Sequence, residues 1–196
     1  MSRIPPLPPD EWPPAMGDAI AALRPADARH PFPARDANRP KGLNVLGTLA
    51  HHPALARAFH TLTGHILFGS AISPRQRELL VLRVAAVRRC DYEWAQHVLL
   101  AADAGLGADD ITRVQAGPTA PGWSGIDGAL VAAVDELLHD AKVGDATWAV
   151  LAAELDDEQL MDVVFTVGTY DALAMAMLSF GIELDADLVD RKPPSP

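Results

Sequence analysis

A thiol, two carboxylates and an imidazole fall within one short stretch of this chain: Cys90, Glu78, Glu93 and His97. They lie in Arg-Gln-Arg-Glu-Leu-Leu at 75–80 and in Cys-Asp-Tyr-Glu-Trp-Ala-Gln-His at 90–97. Cys90, Glu93 and His97 are spaced i, i+3, i+7, which puts all three on one face of a helix. A thiol supplies a nucleophile, and a carboxylate or imidazole beside it moves protons. Together they form a candidate reaction centre on two adjacent helices.

Each group also has a structural reading. Cys90 stands at a helix start, where the dipole and free N–H groups favour thiolate, with Arg88 and Arg89 helping and Asp91 and Glu93 opposing. Its alternative role is a small buried hydrophobe. His97 follows Glu93 by one turn, so that carboxylate would orient the ring and strengthen it as a base; a structural histidine is the alternative. Glu78 adjoins Leu79 and Leu80, which predicts a partly buried acid with a partner, either within a site or in an ion pair with Arg75 or Arg77. Glu93 is an acid–base group, the orienter of His97, or structural. Tyr92, Trp94 and His65 are candidates for lining a substrate pocket, with core or interface packing the alternative for both aromatics. His51, His52 and His60 read as surface or capping residues. Two carboxylates and an imidazole suit a divalent cation, but the spacing matches no standard metal motif. No metal and no cofactor are expected.

The elements that must position these groups are helical. Ser73-Pro74 is a strong helix start, with Ser as cap and Pro at the first helical position; this helix should run to about Arg88 with Leu79, Leu80, Leu82 and Val84 buried. The next begins near Cys90–Asp91 and ends at Gly105. Upstream, Leu43, Leu46 and Leu49 recur at helical spacing. His52-Pro53 should open a helix through Phe68 with Leu55, Phe59, Leu62 and Ile66 as its apolar stripe. Downstream, helices are expected from Asp109 or Asp110 to Gln115, from Ile126 to Ala141, from Thr147 to Ala153, and from about Glu158 to Phe180 under an Asp156 or Asp157 cap. Met161, Val164, Phe165, Met175 and Met177 read as core or oligomer interface.

Ala and Leu dominate the composition, and β-branched and aromatic residues are sparse, which favours helix over sheet. The one Asp-Gly pair, Asp127-Gly128, has no alternating strands around it. The fold class is all-α: a compact bundle of about six to eight helices. Residues 1–42 hold 10 of the 17 prolines and form an extended Pro-rich arm, with one short helix over Met16–Arg24, that packs on the domain or on a neighbouring subunit. Residues 43–183 form the helical domain, and 184–196 a frayed tail.

The net charge is −10, and no basic stripe is present, which argues against nucleic acid and anionic membrane as partners. A single cysteine rules out an intramolecular disulfide and suits a reduced, cytoplasmic compartment. The N-terminus lacks a signal-peptide h-region, and no uninterrupted apolar run reaches membrane-spanning length.

The stretch from Ser73 to Ile111 resembles the carboxymuconolactone decarboxylase and alkylhydroperoxidase D-like superfamily. The matching residues are Arg77-Glu78-Leu79, Cys90, Tyr92-Glu93-Trp94, His97, Ala104-Gly105-Leu106 and Asp109-Asp110-Ile111. Leu43-Asn44-Val45, His52-Pro53 and the helix around Thr166–Tyr170 are similar to the family as well. The resemblance implies a small all-helical fold that assembles as dimers, trimers or hexamers. It also implies a redox site of one Glu, a Cys-x-x-Cys pair and a His one turn later. On that pattern the Glu is Glu78, the first Cys is Cys90 and the His is His97. Glu93 stands where the second Cys would be, so an intrachain disulfide cycle is unavailable.

Three activities follow. One is a single-cysteine hydroperoxide reductase, with Cys90 oxidised to sulfenic acid, Glu78 and His97 moving protons, and an external thiol as reductant. Another is non-redox acid–base chemistry (decarboxylation, isomerisation or lactone cleavage) on a small organic acid. The last is a non-catalytic oligomeric binding protein. The partners implied are a small-molecule substrate and further copies of the chain.

Overall fold

The computed structural model describes residues 2–32 and 41–189. The described residues form ten α-helices and no strand: α1 Ala15–Ala21, α2 Leu43–Leu49, α3 Pro53–Gly64, α4 Pro74–Arg88, α5 Asp91–Asp103, α6 Ala108–Ala116, α7 Gly125–Asp140, α8 Asp145–Glu154, α9 Asp157–Phe180 and α10 Ala186–Val189. The all-α expectation holds. The excess over six to eight helices comes from the short α1, α2 and α10. Of the expected arm and tail, residues 33–40 and 190–196 lie outside the described residues. The chain divides into two compact units, one of residues 1–70 and 175–192 and one built on residues 71–174.

In the first unit, α1 packs on α3. The apolar stripe expected on α3 is kept only in part: Ile66 is buried and Phe59 half-buried, but Leu55 and Leu62 are exposed. Ala56, His60, Thr63 and Gly64 face inward. At position 64 the approach is close: a Cβ on Gly64 would stand 2.8 Å from the Ala22 carbonyl oxygen, so no larger residue fits there. His60 is buried rather than a surface residue, with Nδ1 2.9 Å from the Ala19 carbonyl. The N-terminal segment is hydrogen-bonded in place: Arg3 N–H donates to the Phe180 carbonyl and Leu7 N–H to the Gly47 carbonyl, and the Trp12 indole N–H donates to Leu7 O at 2.8 Å. Residues 183–189 are not frayed. Asp185 is buried and accepts from Asn44 N–H at 2.8 Å, and Leu188 is fully buried.

The second unit is organised by α4. Ser73 accepts from Gln76 N–H, and the Gln76 side chain accepts in return from Ser73 N–H, a reciprocal cap behind Pro74. Eight residues of α4 are buried, including Leu79, Leu80, Leu82 and Val84. It therefore packs on several sides at once, against α5, α6 and α7. Arg83 bridges to Asp135 of α7 at 2.6 Å and donates to the Val114 and Gln115 carbonyls that end α6. At α6 the cap is Gly107, not Asp109 or Asp110: Asp110 lies one turn in and accepts from the Gly107 N–H at 3.0 Å. At α9 the expected Asp156 cap is present, accepting from Gln159 N–H at 2.9 Å.

α9 has 24 residues and a mean hydropathy of 1.5 over its most apolar window. By length and composition it passes as a membrane span, a test that the core helix of a globular protein also passes. Its inner face, with Leu160, Val163, Val167, Tyr170 and Ala174, is buried.

Candidate functional site

α4 ends at Arg89, whose φ of 55° lies in the left-handed region. The next amide, Cys90 N–H, returns to the Ala85 carbonyl at 2.9 Å, closing the end of α4. Cys90 is at once the cap of α5. The link is thus two residues long, and it folds α5 back along α4. The reversal brings Glu78, roughly three turns before the link, beside His97, roughly two turns after it.

His97 Nδ1 lies 2.7 Å from Glu78 Oε2. The other carboxylate oxygen accepts from the Arg77 guanidinium, with both contacts at 2.9 Å. The Glu78 side chain is 0 % exposed. Burial pushes this carboxyl up, but its pairing with His97 and Arg77 outweighs burial, and the net shift is downward. Glu78 is therefore an ionised acceptor, and Nδ1 of His97 carries the hydrogen between them. Of the two ion pairs considered for Glu78, the one with Arg77 forms. Arg75 instead pairs with Asp127 at 2.8 Å.

Glu93 is the opposite kind of acid. It is 1 % exposed, and neither carboxyl oxygen has a hydrogen-bond partner among the described residues. Burial, reinforced by the nearby Asp171 charge, raises its pKa well above the usual range, so the group is held neutral. It does not orient His97; Glu78 does.

Cys90 corrects another expectation. The helix start does not make it a ready thiolate. Burial above all pushes its pKa up to about 12, against the pull of the Glu93 and Tyr92 backbone amides. Arg88 does not assist, because it is committed to Asp171, with Nε 2.5 Å from Oδ1 and a second contact of 3.1 Å.

Tyr92 and Trp94 are buried at 3 % and 2 % exposed, and the Trp94 indole nitrogen has no partner among the described residues. His65 stands exposed on a π-helical turn, His65–Gly69, of the first unit. Sequence reasoning missed Tyr170. Its ring stands perpendicular to His97 at 5.0 Å between centroids, and burial, with the Glu78 charge behind it, pushes its phenol pKa well above the usual range. A tyrosine and a threonine one turn apart (Thr166, Tyr170) within an apolar helix were the available signal. Thr166 is also fully buried, with an unpartnered hydroxyl.

Residues 53–136 match the sequence profile of the carboxymuconolactone decarboxylase family, a segment that contains Glu78, Cys90, Glu93 and His97. That segment is what the chain has in common with the family; it spans less than half of the 196 residues. No curated protein matches it significantly in sequence. Among solved structures, the alkylhydroperoxidase D core of a peroxidase-related protein from Ralstonia eutropha JMP134 superposes with a TM-score of 0.66 at 18 % identity, covering 84 % of this chain and 95 % of that one. A peroxidase-related protein from Silicibacter sp. TM1040 gives 0.64 at 18 % identity, covering 84 % and 95 %. A cysteine-to-alanine variant of the debrominase Bmp8, in complex with 2,3,4-tribromopyrrole, gives 0.71 at 14 % identity over 98 % of both chains. At these identities the likeness bears on the fold alone.

Proposed function

We propose that the protein is a single-cysteine, thiol-dependent reductase of small organic hydroperoxides, with Cys90 as nucleophile and Glu93 as its proton shuttle. The observation that carries this is the Glu93 carboxyl: it is buried, both its oxygens are without a partner among the described residues, and it lies one helical turn from the one thiol of the chain. A thiol with a pKa near 12 does not need to ionise at rest if its proton leaves during the attack. Cys90 Sγ attacks the distal peroxide oxygen, and the O–O bond breaks. Glu93 gives its proton to the departing alkoxide while the thiol proton passes to Glu93. Thiol and hydroperoxide become sulfenic acid and alcohol, with no net change at Glu93 and no charge stranded in a dry site. An external small thiol then displaces water from the sulfenic acid, and a second one releases Cys90 as free thiol.

The peroxidase-related neighbours are consistent with this reading. On the same reading the protein is a homo-oligomer, as the family implies, and works in a reducing compartment such as the cytoplasm.

The second reading is non-redox acid–base catalysis on a small organic acid, as a decarboxylase, isomerase or lactone-cleaving enzyme. The observation favouring it is the Arg77–Glu78–His97 chain, which leaves an oriented imidazole as base. Intact mass after hydroperoxide with a dimedone trap separates the two. One stoichiometric adduct at Cys90, absent in Cys90→Ser and slowed in Glu93→Gln, supports the reductase. No adduct on folded protein removes it and leaves the acid–base reading, or a non-catalytic binding role if His97→Ala is also without effect.

A further inference from the structure

His97 is gripped at Nδ1 by Glu78, but a single hydrogen bond leaves a ring free to swing about its own axis. The structure supplies a second constraint. The Tyr170 ring lies 5.0 Å from the imidazole at an interplanar angle of 90°, the edge-to-face arrangement aromatic pairs prefer. Tyr170 is 2 % exposed and anchored mid-way along a 24-residue helix, so it has little freedom to follow a swinging ring. Its neighbour in sequence, Asp171, is tied to Arg88 at the end of α4, which fixes this turn of α9 against the helix that carries Glu78.

We propose that Tyr170 is the positioning residue of His97: its ring, perpendicular to the imidazole, holds the Nδ1–H tautomer on Glu78 and so keeps Nε2 free as the base. This rests on the site described above but not on which substrate it takes. Hydrogen bond and ring contact constrain different motions. The carboxylate fixes the distance at Nδ1, and the phenol ring fixes the tilt of the imidazole plane. A misplacement of about 1 Å in such a group costs on the order of 100-fold in rate. The role belongs to the ring rather than the hydroxyl, because the observed contact is ring on ring.

The test uses the full chain with 15N-labelled histidine, His97 being assigned by the signal lost in His97→Gln. Long-range 1H–15N correlation reads the tautomer, and steady-state kinetics with a hydroperoxide read kcat and KM. Tyr170→Phe should retain a single Nδ1–H tautomer and a kcat within about 3-fold of wild type. Tyr170→Leu should mix the tautomers and lower kcat roughly 10- to 100-fold with KM little changed. If Tyr170→Leu does not fold, Tyr170→Met takes its place. A single tautomer retained in Tyr170→Leu, or tautomers mixed as fully in Tyr170→Phe, overturns the proposal. The spectra decide this even if hydroperoxide turnover is absent, an outcome that would remove the reductase reading alone.

Discussion

Replacing Glu78 by Gln tests whether the buried carboxylate is charged and doubly paired. The side chain is 0 % exposed and accepts from Arg77 at 2.9 Å and from His97 at 2.7 Å. Gln keeps the shape but removes the charge from a nearly dry pair, the Arg77 side chain being itself only 10 % exposed. Breaking a buried ion pair on one side costs about 3–5 kcal/mol. For a chain of 196 residues, each kcal/mol moves Tm by about 2–4 °C, so Glu78→Gln should melt roughly 6–20 °C below wild type at pH 7. The pH dependence has a definite sign. The folded-state pKa of Glu78 is depressed below its unfolded value of about 4.3. The stabilisation is therefore complete above pH ~4.3 and is lost as pH falls through the folded value. The Tm gap between wild type and variant should be constant from pH 8 to 5 and should close below pH ~4. Differential scanning calorimetry at several pH values is the assay. A gap under 2 °C at pH 7, or one that widens on acidification, would refute the ionised, doubly paired Glu78. Adding Arg77→Met to Glu78→Gln should recover part of the loss, because removing both members of a buried pair costs less than removing one.

Glu93 should behave oppositely: its raised pKa means folding opposes its ionisation, so wild type loses stability as pH rises from about 4.3 toward the folded value. Glu93→Gln should therefore melt higher than wild type at pH 8 and show no such gain at pH 4, by calorimetry; a lower Tm at pH 8 contradicts the neutral buried acid. Cys90, with a pKa near 12, holds on the order of one thiolate in 10⁵ molecules at pH 7, so iodoacetamide should label the folded chain at least about 1000-fold more slowly than the urea-unfolded chain, whose thiol has a pKa of about 8.5. Labelling of folded protein within minutes, read by intact mass, would sink that assignment. In the first unit, a Cβ on Gly47 would fall 2.5 Å from the Leu7 carbonyl oxygen and 2.9 Å from Pro6 Cβ. Gly47→Ala should thus cost about 1–3 kcal/mol and speed limited proteolysis before residue 15, and an unchanged cleavage rate would show that the N-terminal segment does not bear on α2.

Much of the scaffold was legible in the sequence because its signals are local. Ser73-Pro74, the Leu79–Val84 run and Asp156 specify helix starts and buried faces through backbone hydrogen bonds a few residues away. The i, i+3, i+7 spacing of Cys90, Glu93 and His97 needs only the pitch of α5. The α3 stripe was read correctly at Ile66 and wrongly at Leu55 and Leu62, because inward-facing positions there are set by how α1 approaches: Gly64 meets the Ala22 carbonyl and His60 reaches the Ala19 carbonyl. The division of labour among the acids was likewise invisible. Glu78 and Glu93 are the same residue type on neighbouring helices, yet one is ionised and the other neutral. That difference comes from the left-handed Arg89 link, which turns His97 onto Glu78, and from the burial of Glu93, which the Asp171 charge on α9 reinforces. The sequence by itself determined which chemical groups share this part of the chain and which helices carry them. Only the tertiary structure decided their protonation and their pairing, because desolvation and Coulomb energy depend on distances across helices that are remote in sequence.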